Sequence, residues 1–280
     1  MRAELAVILL GLVSAASWGA ADFSGGVATK RTNVYSVIIF SQLVGAVFLI
    51  GLAVLLSAHI PAPDDIKLGS IAGISGAIGL IFLYRGLAGG SMAVVAPIAA
   101  LVTAIIPVFF GIINEGLPSV IQLLGFILAL TGVWLISQTG SRSKINVREI
   151  TYPLIAGFFF GLFFILIDQL SGNAILWPLA AARIASVIVM IVIALTMRVR
   201  ELPAVSQLPI IALAGLLDVG GNVFFALATT FGRLDIAAVL ASLYPASTVL
   251  LAYTILKERL TIWQWFGISF ALIAVVLISL

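Results

Sequence analysis

Four ionisable side chains stand inside long apolar runs of this chain: Asp22, Asp168, Arg183 and Asp218. An ionised group at the centre of a membrane helix costs roughly 2.5–3.5 kcal/mol, so each needs a partner, water or a task. Arg183 lies about nine residues into its run, and Asp218 about ten into the next. At about 1.5 Å per residue both come near the middle of a bilayer, on neighbouring antiparallel helices. Unpaired, the two would cost on the order of 5–7 kcal/mol. A structural ion pair clamping the helices removes that cost. So does a pair that lines a pathway and reorganises with a substrate or a proton.

Other polar groups gather around these charges. Asn222 is one helical turn beyond Asp218 on the same face. It suits either a polar solute or an interhelical hydrogen bond. Trp18 and Asp22 are four residues apart and share a face. Asp22 is close enough to Lys30 and Arg31 for a paired or hydrated role. An indole N–H needs a partner in lipid, which turns Trp18 inward, and the phenols of Tyr84 and Tyr244 follow the same argument. Asp168 is near the end of its run, as an interfacial group or a second partner for Arg183. Pro97, Pro107 and Pro245 interrupt the backbone ladder and free carbonyls near mid-membrane, for a packing kink or for a bending point. Asp218 is the best-placed carboxylate for proton coupling, with Asp22 second.

Absences narrow the chemistry. The sequence has no Gly-rich Lys-Ser/Thr phosphate loop, so it expects no nucleotide hydrolysis of its own and requires no nucleotide-hydrolysing subunit. It has no cysteine, and its single histidine, His59, falls in a connecting segment. No metal site, no cofactor and no serine nucleophile with a credible base are expected. No basic run suggests nucleic acid.

The elements that must position these residues follow from composition. The 280 residues are 62% hydrophobic and 9% charged, with net charge +3. Mean hydropathy is +1.28. A soluble domain is about 25% charged. Lipid must be the main solvent, and the chain is expected to be an all-α membrane protein. The apolar runs predict ten transmembrane helices over 4–24, 33–57, 68–88, 91–113, 120–138, 152–170, 174–196, 208–230, 234–255 and 262–280. The N-terminal run reads as a retained helix rather than a cleaved leader. The polar segment Thr139 to Thr151 is the natural seam between halves 1–140 and 141–280.

The halves are copies, offset by about 142 residues. Gly73 falls on Gly215, Leu101 on Leu243, Gln122 on Gln264, Gly125 on Gly267 and Ser137 on Ser279, and Glu115 meets Glu258 after a one-residue slip. Five spans per half is an odd number, so the copies are expected to form two inverted five-helix repeats. Ala15-xxx-Gly19 recurs as Gly157-xxx-Gly161, a spacing that allows close helix contact.

Lys and Arg set the orientation. One side holds Lys30, Arg31, Arg85, Arg142, Lys144, Arg148, Arg198, Arg200, Lys257 and Arg259; the other holds only Arg2, Lys67 and Arg233. This places both termini outside, in the cytoplasmic (inner) membrane. The turn Lys257-Glu258-Arg259 is then a solvated cap or a contact for anionic headgroups.

These residues resemble the EamA-type family of the drug/metabolite transporter superfamily. The likeness is carried by Tyr244-Pro245, by Leu256-Lys257-Glu258-Arg259-Leu260-Thr261, and by the opening run Ser17 to Gly26. The first copy departs from the pattern, with Gly116 where the second has Arg259. The resemblance implies ten helices and a central cavity lined by the first, third, fourth, sixth, eighth and ninth. It also implies export or exchange of small metabolites. The expected protein is a secondary transporter of a small polar or amphipathic solute (amino acids, nucleosides or similar). It would work as a monomer or homodimer. Trp18, Tyr84, Arg183, Asp218, Asn222 and Tyr244 would contribute most of the polar contacts. A lipid-modifying intramembrane enzyme and a membrane scaffold without flux are the rival classes.

Overall fold

The chain is described by a computed structural model covering residues 2–89, 92–136, 138, 147–170, 174–199, 201–257 and 259–279. The side chains of residues 2, 87–89, 92–94, 96–97 and 147–149 lie outside that description. Eleven helices make up the described chain: α1 (Arg2–Thr29), α2 (Val34–Leu55), α3 (Pro63–Gly89), α4 (Met92–Glu115), α5 (Val120–Ile136), α6 (Val147–Asp168), α7 (Leu176–Thr196), α8 (Leu208–Phe231), α9 (Leu234–Ala241), α10 (Tyr244–Ile255) and α11 (Ile262–Ile278). No strand occurs among the described residues. Eight segments are long and apolar enough to cross a membrane, with α9 and α10 together forming one of them. The shorter α5 and α11 have 17 residues each, which reach about 25 Å.

Helix starts explain two departures from the expected boundaries. Helix α3 begins at Pro63 rather than at 68. Proline suits a first helical position, and Asp64 and Asp65 in the first turn favour the positive end of the helix dipole. The other departure is the ninth span, expected as one helix over 234–255, which is two helices separated at Ser242 and Leu243. Pro245 has no N–H to give the Ala241 carbonyl, so the ladder stops there. Pro97 and Pro107 sit within a single continuous α4; the side chain of Pro97 lies outside the described residues. Residues 90–91 and 171–173, at the joins between expected spans, lie outside them as well.

Duplicate sequence builds duplicate local structure. Ser119 and Gln122 close a reciprocal cap at the start of α5, with N···O distances of 3.1 and 3.2 Å. Thr261 and Gln264 close the same cap at the start of α11, at 2.8 and 3.3 Å. Helices α2 and α7 also end alike, with Ser57 and Arg198 in the left-handed region at φ 48° and 55°.

The two copies are interleaved rather than set side by side. Helix α1 packs mainly on α8 and α10, and its counterpart α6 packs mainly on α3 and α4. Helix α2 packs on α7 and α8, while α7 packs on α2 and α3. Helices α5 and α11 pack on each other. Close approach depends on matched glycines: a Cβ on Gly73 would overlap the Ala182 backbone, and one on Gly215 would overlap the Ser41 backbone. The outer surface of the bundle is apolar, with Leu5, Val47, Phe109, Ile188 and Leu272 all exposed, as lipid contact requires.

Candidate functional site

A polar cluster joins the middles of α2, α7 and α8. Arg183 Nη1 on α7 donates to Gln42 Oε1 on α2 at 2.6 Å, and is also bonded and ion-paired to Asp218 Oδ2 on α8. Gln42 Nε2 donates to the same Asp218 oxygen at 3.1 Å. Asn222 Nδ2 donates to the Asp218 backbone carbonyl at 2.5 Å and to Oδ1 at 3.3 Å. Every element of this cluster answers a cost. A guanidinium buried in apolar surroundings is expensive alone, and a carboxylate with an amide on either side offsets most of that. Gly45 leaves the room: a Cβ there would stand 3.7 Å from Arg183 Cδ and 2.8 Å from Val219.

The cluster faces a cavity of about 100 Å³. Trp18 and Asp22 line it from α1, Gln42 from α2, and Arg183 and Ser186 from α7. Asp218 and Asn222 line it from α8, and Tyr244 from the start of α10. Phe160, Phe163 and Phe164 of α6 supply an aromatic wall. Trp18 stacks on Phe164 with ring centroids 5.2 Å apart and planes at 11°, and Phe164 stacks on Phe225 at 4.2 Å. Gly221 makes this possible, since a Cβ there would sit 2.5 Å from Trp18 Cδ1.

Most of the residues singled out in the sequence meet here. Trp18, Asp22, Arg183, Asp218, Asn222 and Tyr244 all line the one cavity. Tyr84 does not line it. It packs with Ile38, Ala77, Ile81 and Met190, and its hydroxyl lies against Gly25. Asp168 is not a partner of Arg183; it accepts from Gln169 at 3.2 Å at the end of α6. The Trp18 indole N–H has no hydrogen bond among the described residues, and that edge of the ring lies against Gly221. Of the carboxylates, Asp218 is held by three side chains and Asp22 by none among the described residues.

Two groups of residues were missed. Gln42 and Ser186 lie in apolar runs, and a lone amide in such a run needs a partner, which is the signal that would have found Gln42. Gln42 brings the second helix into the lining and Ser186 joins Arg183 on the seventh, two helices beyond the six that the resemblance implies. Arg233, Asp235 and Glu115 form a second cluster where the start of α9 meets the end of α4. Arg233 Nη2 donates to Asp235 Oδ2 at 2.8 Å and to the Gly116 carbonyl at 2.7 Å, and Nη1 donates to the Glu115 carbonyl at 3.3 Å. Asp235 is completely buried. No group of three or more His, Cys, Asp or Glu fit to hold a metal ion occurs among the described residues.

The fold recurs among solved structures. A crystal structure of another protein superposes with a TM-score of 0.82 at 12% sequence identity, covering 98% of each chain. At that identity the likeness is one of fold. A search of curated proteins finds no match. The model of the EamA-like transporter family matches residues 5–138 and again 148–280, one match for each copy. With nearly all of its length covered by that doubled match, the chain belongs to the EamA-like transporter family.

Proposed function

We propose that the chain is a secondary transporter that carries a small polar or amphipathic metabolite across the cytoplasmic membrane by alternating access, as an exporter or exchanger. The observation that carries this reading is a charged cluster, Arg183, Asp218, Gln42 and Asn222, facing a cavity whose walls come from both copies of the repeat. Its ion pair sets polarity where lipid-filled packing would be cheaper, and a cost of that kind is characteristic of a pathway. The copies are oppositely inserted, five spans each, with both termini outside. The break at Ser242 and Leu243 is the bending point, with Pro245 beside it. Asp218 or Asp22 supplies a carboxylate for any coupled proton. The chain acts as a monomer or homodimer and draws on no nucleotide.

The test is solute flux in liposomes that contain only this protein, loaded with a mixture of small metabolites. Uptake or release that depends on the protein supports the reading. Tight proteoliposomes that pass none of the mixture in either direction sink it. An Asp218→Asn variant with full and pH-insensitive flux removes that residue from any coupling role.

A further inference from the structure

We infer that the cavity holds a solute of net positive charge: an amine whose ammonium group meets Asp22 against aromatic walls, and whose acceptor oxygen meets Arg183 and Ser186. This rests on the reading of the cavity as a substrate site.

Charge balance is the first argument. The described lining carries one cation, Arg183, and two carboxylates, Asp218 and Asp22. Arg183 is already matched by Asp218. Asp22 has no hydrogen bond or ion pair among the described residues, although it lines the same cavity as Asp218. A carboxylate in that position lacks a positive partner, and an ammonium group is the complement.

The walls agree with the charge. Trp18, on the same helix face as Asp22 and one turn away, presents its ring to the cavity with Phe160, Phe163 and Phe164. Aromatic faces attract organic cations and favour them over a small hydrated metal ion. An anion would meet two carboxylates and a guanidinium already neutralised. A zwitterion would leave the negative excess in place.

Two orphan donors complete the site. Arg183 Nη2 and Ser186 Oγ are buried without a partner among the described residues, in side chains that are one turn apart on α7 and belong to residues lining the cavity. Their residues are only 8% and 3% exposed. A buried donor left unmade is costly, so a bound solute offers them a carbonyl or hydroxyl oxygen.

A matched set of four probes separates the alternatives by charge alone, using equilibrium binding to the purified protein. The probes are phenylalaninamide (cation), phenylalanine (zwitterion), N-acetylphenylalanine (anion) and N-acetylphenylalaninamide (neutral). The cation is expected to bind about tenfold more tightly than each of the others, or about 1.4 kcal/mol. Asp22→Asn should erase that preference, and Asp22→Glu should retain most of it. Because Asp22→Asn removes an unpartnered charge, the empty variant should melt no lower than the parent, which excludes misfolding as the cause. Ser186→Ala should weaken the cation a few-fold without altering the ranking by charge. A preference for the zwitterion or anion, equal binding of all four, no binding by any, or an Asp22→Asn variant that keeps the cation preference each overturns the inference. A cation that binds but is not carried into liposomes leaves this inference standing and sinks the transport reading instead.

Discussion

The fourth helix of the first copy and the fourth span of the second begin from matched sequence and end in different shapes. Helix α4 is continuous from Met92 to Glu115, whereas its counterpart breaks between α9 and α10. The difference is concentrated at one aligned pair, Thr103 and Pro245, offset by the repeat distance. Thr103 is buried and keeps its backbone N–H for the ladder, while its hydroxyl donates to the Ala99 carbonyl at 2.7 Å. Pro245 withholds even the backbone N–H from the equivalent Ala241. Both residues adjoin the cavity, Thr103 directly and Pro245 through Tyr244. One copy thus supplies a continuous helix to the cavity wall and the other a broken one.

The ends of these two elements differ as well. Arg233 ties the start of α9 to the last carbonyls of α4. At the far end of the second element, Lys257 takes the left-handed conformation at φ 58°, where α4 is followed by Gly116 at φ 84°. Glycine adopts that region freely, whereas a lysine there costs roughly 1–2 kcal/mol.

The largest expected effect comes from removing the tie. Arg233→Ala should leave the buried Asp235 carboxylate without its guanidinium and destabilise the protein by about 3–5 kcal/mol in denaturant titrations; a loss under about 1 kcal/mol would mean that water reaches Asp235. Next, Thr103→Pro should break α4 as its partner is broken. It should cost about 3 kcal/mol and lower the melting temperature; an unchanged melt would deny that α4 depends on its continuity. The converse change, Pro245→Ala, should fuse α9 to α10. Flux in liposomes should fall about tenfold while thermal stability rises; undiminished flux would remove the joint from the mechanism. The smallest effect should be Lys257→Gly, which relieves the left-handed strain and stabilises by about 1 kcal/mol. An unchanged melting temperature there would show that the side chain compensates for the strain.

What could be read in advance depended on how loudly each residue violates an apolar background. Arg183 and Asp218 are charges at equal depth on adjacent helices, and their bond needed no knowledge of packing. The doubled glycines were visible as an offset, and the contacts of Gly73 and Gly215 show why that offset matters. Gln42 was quiet because an amide carries no charge and is tolerated in a span at modest cost. Asp235 was hidden for a different reason. Its residue opens a helix directly after a turn, where an acid is ordinary, and only the tertiary approach of α4 seals it from water. Pro245 was visible as an interruption of the ladder, but so were Pro97 and Pro107, and hydropathy is blind to which of the three splits its span.

The interleaving of the copies bears on how the protein is made. Helices within the first copy touch one another sparingly, and their main neighbours lie in the second. At about 5–20 residues per second, the ribosome needs roughly 7–30 s to deliver that second copy. During that interval Asp22 and Gln42 sit in newly inserted helices without the residues that later enclose them. The nascent first half therefore lacks most of its packing partners until the second is made, and a chain that ends near the seam should be far less stable than the whole.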